Sequence, residues 1–308
     1  MIVCRTKAEL KERLAQLRKQ DRSVGFVPTM GYLHEGHASL MRQSAAENEA
    51  TVLSIFVNPL QFGPNEDLDR YPRDEERDLA LAEECGADIV FLPSVEEMYP
   101  SKPLTSVIVN QVTDRLCGAS RPGHFDGVGT VVSKLFHLVQ PDRAYFGLKD
   151  AQQVAVISQM VDDLNFPVEI VPCSIVREPD GLALSSRNVY LNAEQRRQAV
   201  VLSQTLSDAA EWLSEDGMTV ERLIARVKVQ IAKASESAID YAELLYYPSL
   251  QPPAANAPIR SIGQSIIVAL AVKFGGTRLI DNRIFEASEV NGHVQNDDEV
   301  EAAPGNRY

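Results

Sequence analysis

His34 and His37 stand in the run Pro28-Thr29-Met30-Gly31-Tyr32-Leu33-His34-Glu35-Gly36-His37, between a first strand-like stretch and the first helix-like one. Gly31 and Gly36 would let a backbone come close to a ligand. A helix that starts after such a turn directs unpaired N–H groups and the positive end of its dipole outward, which favours phosphate. Each imidazole can donate a hydrogen bond to a phosphate oxygen, and charge developing on an α-phosphate would strengthen that bond. The spacing is one residue short of the His-Glu-x-x-His pattern of zinc proteases, so a nucleotide site is the better reading of the pair.

Other residues fit the same chemistry. Gln61 follows Asn58-Pro59 at a strand end, and a neutral amide suits a substrate with hydroxyls and a carboxylate; a solvated loop glutamine is the plain alternative. Lys149 precedes a helix start, where its ammonium and the helix dipole would act on the same phosphates, although most lysines simply face solvent. Ser185-Ser186-Arg187-Asn188 combines a side chain able to bind phosphate through two parallel hydrogen bonds with two hydroxyls, in a composition that an ordinary linker would share.

The elements that must position these residues alternate between strand and helix. Val24–Val27, Thr51–Val57, Asp88–Leu92, Arg143–Phe146 and Val168–Val176 read as strands. Helical stretches lie between them at His37–Glu49, Asp74–Cys85 (with Gly86 as its C-terminal stop), Val128–Val139 and Asp150–Leu164, where Asp150 is expected as N-cap. Strands apolar throughout, interleaved with helices, indicate α/β architecture: a Rossmann-like, doubly wound parallel sheet, expected over residues 1–180, with ligands beyond the carboxyl ends of its strands. Residues 181–285 read as a smaller α+β lid domain, with long helices at Ala193–Glu215 and Thr219–Ala234 and strands at Tyr241–Tyr247, Ser265–Phe274 and Thr277–Ile280. Gly275-Gly276 marks a hairpin between the last two. Residues 286–308, with six acidic residues against one arginine, read as a disordered tail.

Composition narrows the partners. The 308 residues carry a net charge of −13, which argues against a nucleic-acid binder but leaves room for a locally positive anion site. No apolar run approaches the ~20 residues that span a bilayer, and Met1-Ile2-Val3-Cys4-Arg5 lacks the longer apolar stretch of a signal peptide. Cys4, Cys85, Cys117 and Cys173 are scattered without metal or redox spacing, so a cytoplasmic protein with reduced thiols is expected.

Five ordered stretches resemble one family. Pro28 to His37 is similar to the HxGH element of the nucleotidylyltransferase superfamily and, in its fuller form, to the pantoate–β-alanine ligase (pantothenate synthetase) family. The others are Ser54 to Phe62, Arg121 to Phe125, Phe146 to Gln153 and Asp180 to Asn188, and the similarity runs to about Asn282. The resemblance implies an ATP-dependent condensation of pantoate with β-alanine through a pantoyl adenylate, with Mg²⁺ carried mainly by the triphosphate and no protein metal site. It implies that His34, His37, Lys149 and Arg187 act in catalysis, His37 as proton donor. ATP would also meet Met30, Gly31, Gly36, Gly147, Asp150, Leu184, Ser185 and Ser186, with the Val176 backbone at adenine. Gln61 and Gln153 would hold pantoate, Gln61 also lying near β-alanine, while the loop at Ser185–Asn188 closes on ATP. Arg121-Pro122-Gly123-His124 and Tyr71 are placed at the mouth of the site, where His124 and Tyr71 could equally be structural. A homodimer through the first domain is implied too. The chain departs from the family at Leu148, usually Glu, and Ala151, usually aromatic, which is expected to loosen local packing or nucleotide contacts.

Other classes account for less. Another nucleotidylyltransferase would share the histidine turn but leave Gln61, Gln153 and the Arg121–His124 stretch without a purpose. A class I tRNA synthetase would need an anticodon domain and a less acidic chain. A nucleotide sensor without catalysis would not need the histidine pair, Lys149 and Arg187 together.

Overall fold

The computed structural model describes residues 1–64, 66 and 68–291. Strand β1 (Ile2–Cys4) leads into α1 (Lys7–Lys19), which Thr6 and Glu9 start with a capping box and which buries Leu10 and Leu14, one turn apart. There follow β2 (Val24–Thr29), α2 (Glu35–Glu47), β3 (Ala50–Ile55), α3 (Glu75–Glu84), β4 (Ile89–Phe91), the short α4 (Val95–Met98) and α5 (Leu116–Ser120), α6 (His124–Val139), β5 (Arg143–Gly147), α7 (Ala151–Leu164) and β6 (Glu169–Cys173). The six strands form one parallel sheet in the order β1-β4-β3-β2-β5-β6. From β2 the chain winds outward to β3 and β4, then returns to place β5 on the other side of β2. The reversal opens a crevice beyond the carboxyl ends of β2 and β5, where such sheets bind ligands. The doubly wound parallel sheet expected from the sequence is therefore present.

The second unit packs α8 (Ala193–Ala199), α9 (Val201–Leu213) and α10 (Val220–Ile231) on an antiparallel sheet of β7 (Ser237–Tyr246), β8 (Ile266–Phe274) and β9 (Thr277–Phe285). Phe274 pairs with Thr277 across Gly275-Gly276, so the glycine pair does form a two-residue hairpin. Strand β8 is apolar from Ile266 to Val272 because both of its faces are covered there. Ile266, Val268, Leu270 and Val272 join the core of the second unit, while Ile267 and Ala269 join the core beneath the parallel sheet.

Three local expectations are corrected. The single helix expected over Ala193–Glu215 is two, broken at Val200, where the Ser203 and Thr205 hydroxyls bond back to the carbonyls of Val200 and Val201 and compete with the helix ladder. Asp150 does precede α7, but its side chain makes no cap hydrogen bond and pairs instead with Lys149. The segment expected to be disordered from Glu286 onward begins with a short helix, α11 (Ala287–Asn291), because Val290 is buried in the second core. The rest of that segment, 292–308, lies outside the described residues.

Candidate active site

The turn after β2 carries the two histidines into the crevice. His34 is the N-cap of α2, and its Nδ1 accepts the Gly36 N–H at 3.1 Å. His37 Nδ1 accepts the His34 N–H at 3.3 Å, so the rings close a reciprocal cap, with centroids 4.1 Å apart. A Cβ at position 36 would lie 2.9 Å from the His34 ring, so only glycine leaves room for this arrangement. With Nδ1 of each ring used as acceptor, the proton of each neutral ring sits on Nε2. Burial, reinforced by Lys149 and Arg77, lowers the His34 pKa to about 4. Burial, reinforced by His34 and Lys149, lowers that of His37 to about 3. Both rings are therefore neutral donors at pH 7.

Asp78, on the buried face of α3, holds the turn from behind. Its carboxylate accepts the N–H groups of Tyr32 at 2.7 Å and Leu33 at 2.6 Å. Burial pushes its pKa up, while both backbone donors and Arg77 pull it down. Arg77 donates to the Leu33 carbonyl and lies over the Tyr32 ring. Gly31, at φ +83°, makes the turn possible but packs toward Asp78 and Ile55 and does not line the cavity.

Every other expected nucleotide and pantoate residue borders the crevice. A cavity of about 230 Å³ is lined by Met30, His34, Gly36, His37 and Gln61, by Gly147, Lys149, Asp150 and Gln153, and by Val176, Leu184, Ser185, Ser186 and Arg187. A neighbouring cavity of about 650 Å³, between the two units, shares Lys149, Asp150, Gln153, Ser185 and Arg187 with it. The Lys149 ammonium lies 2.9 Å from Asp150, whose pKa is raised by burial but lowered further by Lys149 and Arg187. Gln61 accepts from Asn58 and donates to the Met30 sulfur, and Asn58 is itself held by Tyr99 and the Gly127 carbonyl. Adjacent glutamines part company on α7: Gln152 is bonded to the backbone of residues 112–117, whereas Gln153 borders both cavities.

Of the Arg121–His124 stretch, Arg121 and His124 line both cavities. Arg121 pairs with Glu66 through two hydrogen bonds and meets His124 Nε2 at 3.0 Å, while His124 Nδ1 lies 2.9 Å from the Gln61 carbonyl. Burial, then Arg121, lowers the His124 pKa to about 4. Its neutral ring therefore accepts from Arg121 and donates to Gln61. Tyr71 is buried behind the loop, its hydroxyl 3.5 Å from Ser186 Oγ. Ser185 caps the turn Ser186–Tyr190 by accepting the Arg187 N–H, and Asn188 ties the loop to Glu178 and the Ala183 carbonyl. Among the described residues no three His, Cys, Asp or Glu side chains converge as a metal site, and no helix is long and apolar enough to cross a membrane.

The sequence alone assigned no role to Asp78, Asn58, Glu66 or Asn282. Only Asp78 carried a signal, an acid one turn before Ala82 on the buried face of α3.

A doubly wound parallel sheet with paired histidines at the start of α2, which follows the central strand β2, and faced by a lysine from beyond β5, defines a nucleotide-dependent enzyme of the HxGH type. The family model for pantoate-beta-alanine ligase matches residues 2–284. The chain is 54% identical over 286 residues to the pantothenate synthetase of Caldicellulosiruptor saccharolyticus, covering 93% of this chain and 100% of that one. It is similar to the crystal structure of pantothenate synthetase from Thermus thermophilus, at 47% identity and TM-score 0.84, covering 93% of this chain and 99% of that one. It also resembles the Francisella tularensis pantoate-beta-alanine ligase solved with beta-gamma ATP and beta-alanine, at 33% identity and TM-score 0.74, covering 94% and 98%. The chain belongs to the pantoate–β-alanine ligase family. Its reaction is the ATP-dependent condensation of pantoate with β-alanine to pantothenate, AMP and pyrophosphate through a pantoyl adenylate.

The brace behind the turn can be tested directly. Asp78→Asn puts an amide hydrogen against a backbone N–H, so it should lower stability by about 1–3 kcal/mol and weaken ATP binding. Unchanged ATP affinity by calorimetry would show that the turn keeps its shape without the carboxylate. Separately, His34, His37 and His124 have pKa values depressed from 6.5, so the unfolded chain takes up protons that the folded chain refuses. Their stabilisation is complete above about pH 6.5 and is lost as pH falls toward 4 for His34 and His124 and toward 3 for His37. The unfolding temperature should drop across that window less steeply when all three are glutamine; equal slopes would assign acid sensitivity to the carboxylates alone.

Proposed function

We propose that the division of labour follows the geometry of the crevice. The pantoate carboxylate attacks the α-phosphorus of ATP and pyrophosphate leaves. The β-alanine amine then attacks the acyl carbon of the adenylate and AMP leaves. His34 and His37 donate Nε2–H hydrogen bonds to phosphate oxygens, strengthening as charge develops there. The observation that carries this reading is the reciprocal cap, which fixes both rings as neutral donors at a helix start. Negative phosphate raises the pKa of both rings, and the role of proton donor falls to His37 because the family resemblance implies it. Lys149 and Arg187 neutralise the phosphates from the opposite side, and the backbone of Val176 meets adenine. Gln61 and Gln153 hold pantoate, with Gln61 near β-alanine as well.

Magnesium fits this site as an ion carried by the nucleotide. Asp150 is the carboxylate lining the smaller cavity, and few protein ligands suit an ion that keeps phosphate oxygens and water. When bound it would offset phosphate charge. We extend the reading to residues 1–180 as the unit that binds substrates, with 181–285 as its lid. A homodimer through the first unit is supported by Leu104 and Ile108, apolar and exposed in the segment after α4. Four free, buried thiols support a reducing, cytoplasmic setting.

The test is pyrophosphate and AMP release from ATP plus pantoate, with and without β-alanine. Pyrophosphate without β-alanine, and AMP only with it, is the expected pattern. His37→Ala should fold normally and lose adenylate formation by about 10²–10³-fold. Near-normal turnover in that variant would remove His37 from the chemistry.

A further inference from the structure

The strand β9 presents Ile280, Asn282 and Ile284 to the first unit, and the two isoleucines pack on its core. Asn282 is the polar break in this stripe and is buried at 6% exposure. Its Nδ2 donates to the carbonyl of Leu148 at 2.9 Å and to that of Lys149 at 3.0 Å. One amide nitrogen thus directs both of its hydrogens at the two residues that open the turn Leu148–Asp150. A three-residue turn of this kind has little hydrogen bonding of its own, so an outside partner sets where its backbone lies.

The residue before it anchors the strand. Asp281 is buried and accepts Arg177 in a fork, Nη1 at 2.7 Å and Nη2 at 2.9 Å, together with the Asn282 N–H at 2.8 Å. Arg177 also donates to the Gly181 carbonyl, within the small hairpin that leads to Ser185. The pair Asp281-Asn282 therefore reaches two segments that border the cavities, one through a guanidinium and one through an amide.

We infer that Asn282 is a positioning residue for adenylate formation, holding the backbone of Leu148 and Lys149 so that the Lys149 ammonium meets the phosphates. The inference rests on the phosphate role given to Lys149 above. Aspartate has the shape of asparagine but only accepts, so at position 282 it would repel both carbonyls. A displacement of the turn by about 1 Å is enough to cost on the order of 10²-fold in a positioned reaction.

The experiment is a double-mutant cycle on the full chain, reading single-turnover pyrophosphate release from ATP and pantoate below each variant's unfolding temperature. Asn282→Asp should slow this step by about 10- to 100-fold, and Asn282→Ala by less. In a Lys149→Ala background the same change should matter by less than about threefold, because its effect runs through the missing ammonium. A purely structural role would give the same factor in both backgrounds and would overturn the inference, as would an Asn282→Asp enzyme within about twofold of the parent. If Asn282→Asp does not fold, Asn282→Ala carries the cycle with the same criteria. Normal ATP kinetics in Lys149→Ala alone would instead overturn the role given to Lys149.

Discussion

The reciprocal hydrogen bonds across the first turn of α2 are the constraint on which the site depends. A histidine is an unusual N-cap, since Ser, Thr, Asp and Asn lead at that position. Using imidazole nitrogens to satisfy backbone donors fixes ring orientation and tautomer at once. Each ring is left with one N–H, aimed by the helix and not by a flexible side chain. Gly36 keeps the His34 ring in contact with the helix, and Asp78 with Arg77 braces the chain just before it.

Because these rings are neutral at rest, the positive charge of the site comes from elsewhere. Lys149 arrives from beyond β5, Arg187 from the loop after the 177–183 hairpin, and Arg121 from the end of α5. Lys149 and Arg121 already rest against carboxylates, Asp150 and Glu66. Local pairing of this kind is how a chain of net charge −13 keeps a cation-lined crevice.

The sheet and the histidine turn were legible in the sequence for physical reasons, whereas most of the other expected site residues came from the family resemblance. Apolar β-branched runs such as Thr51–Val57 demand a covered sheet, and the turn from Pro28 to His37 concentrates glycine and imidazole where a helix begins. What escaped was the layer behind the site. Asp78, Asn58 and Asn282 act by accepting from or donating to backbone groups that are distant in sequence, and no local period marks such a partner. The break at Val200 escaped for a related reason, since a hydroxyl bonding back to a helix carbonyl leaves the apolar periodicity intact.

The two-faced burial of β8 limits how the molecule can breathe. Ile267 and Ala269 belong to the same apolar cluster as Phe26 and Phe146, so swinging the C-terminal sheet outward would wet the interior of the parallel-sheet unit. Sliding along that contact keeps it dry. The short segment from Ser185 to Tyr190, by contrast, is held to its surroundings by hydrogen bonds from Asn188 and Tyr190 and not by burial in either core.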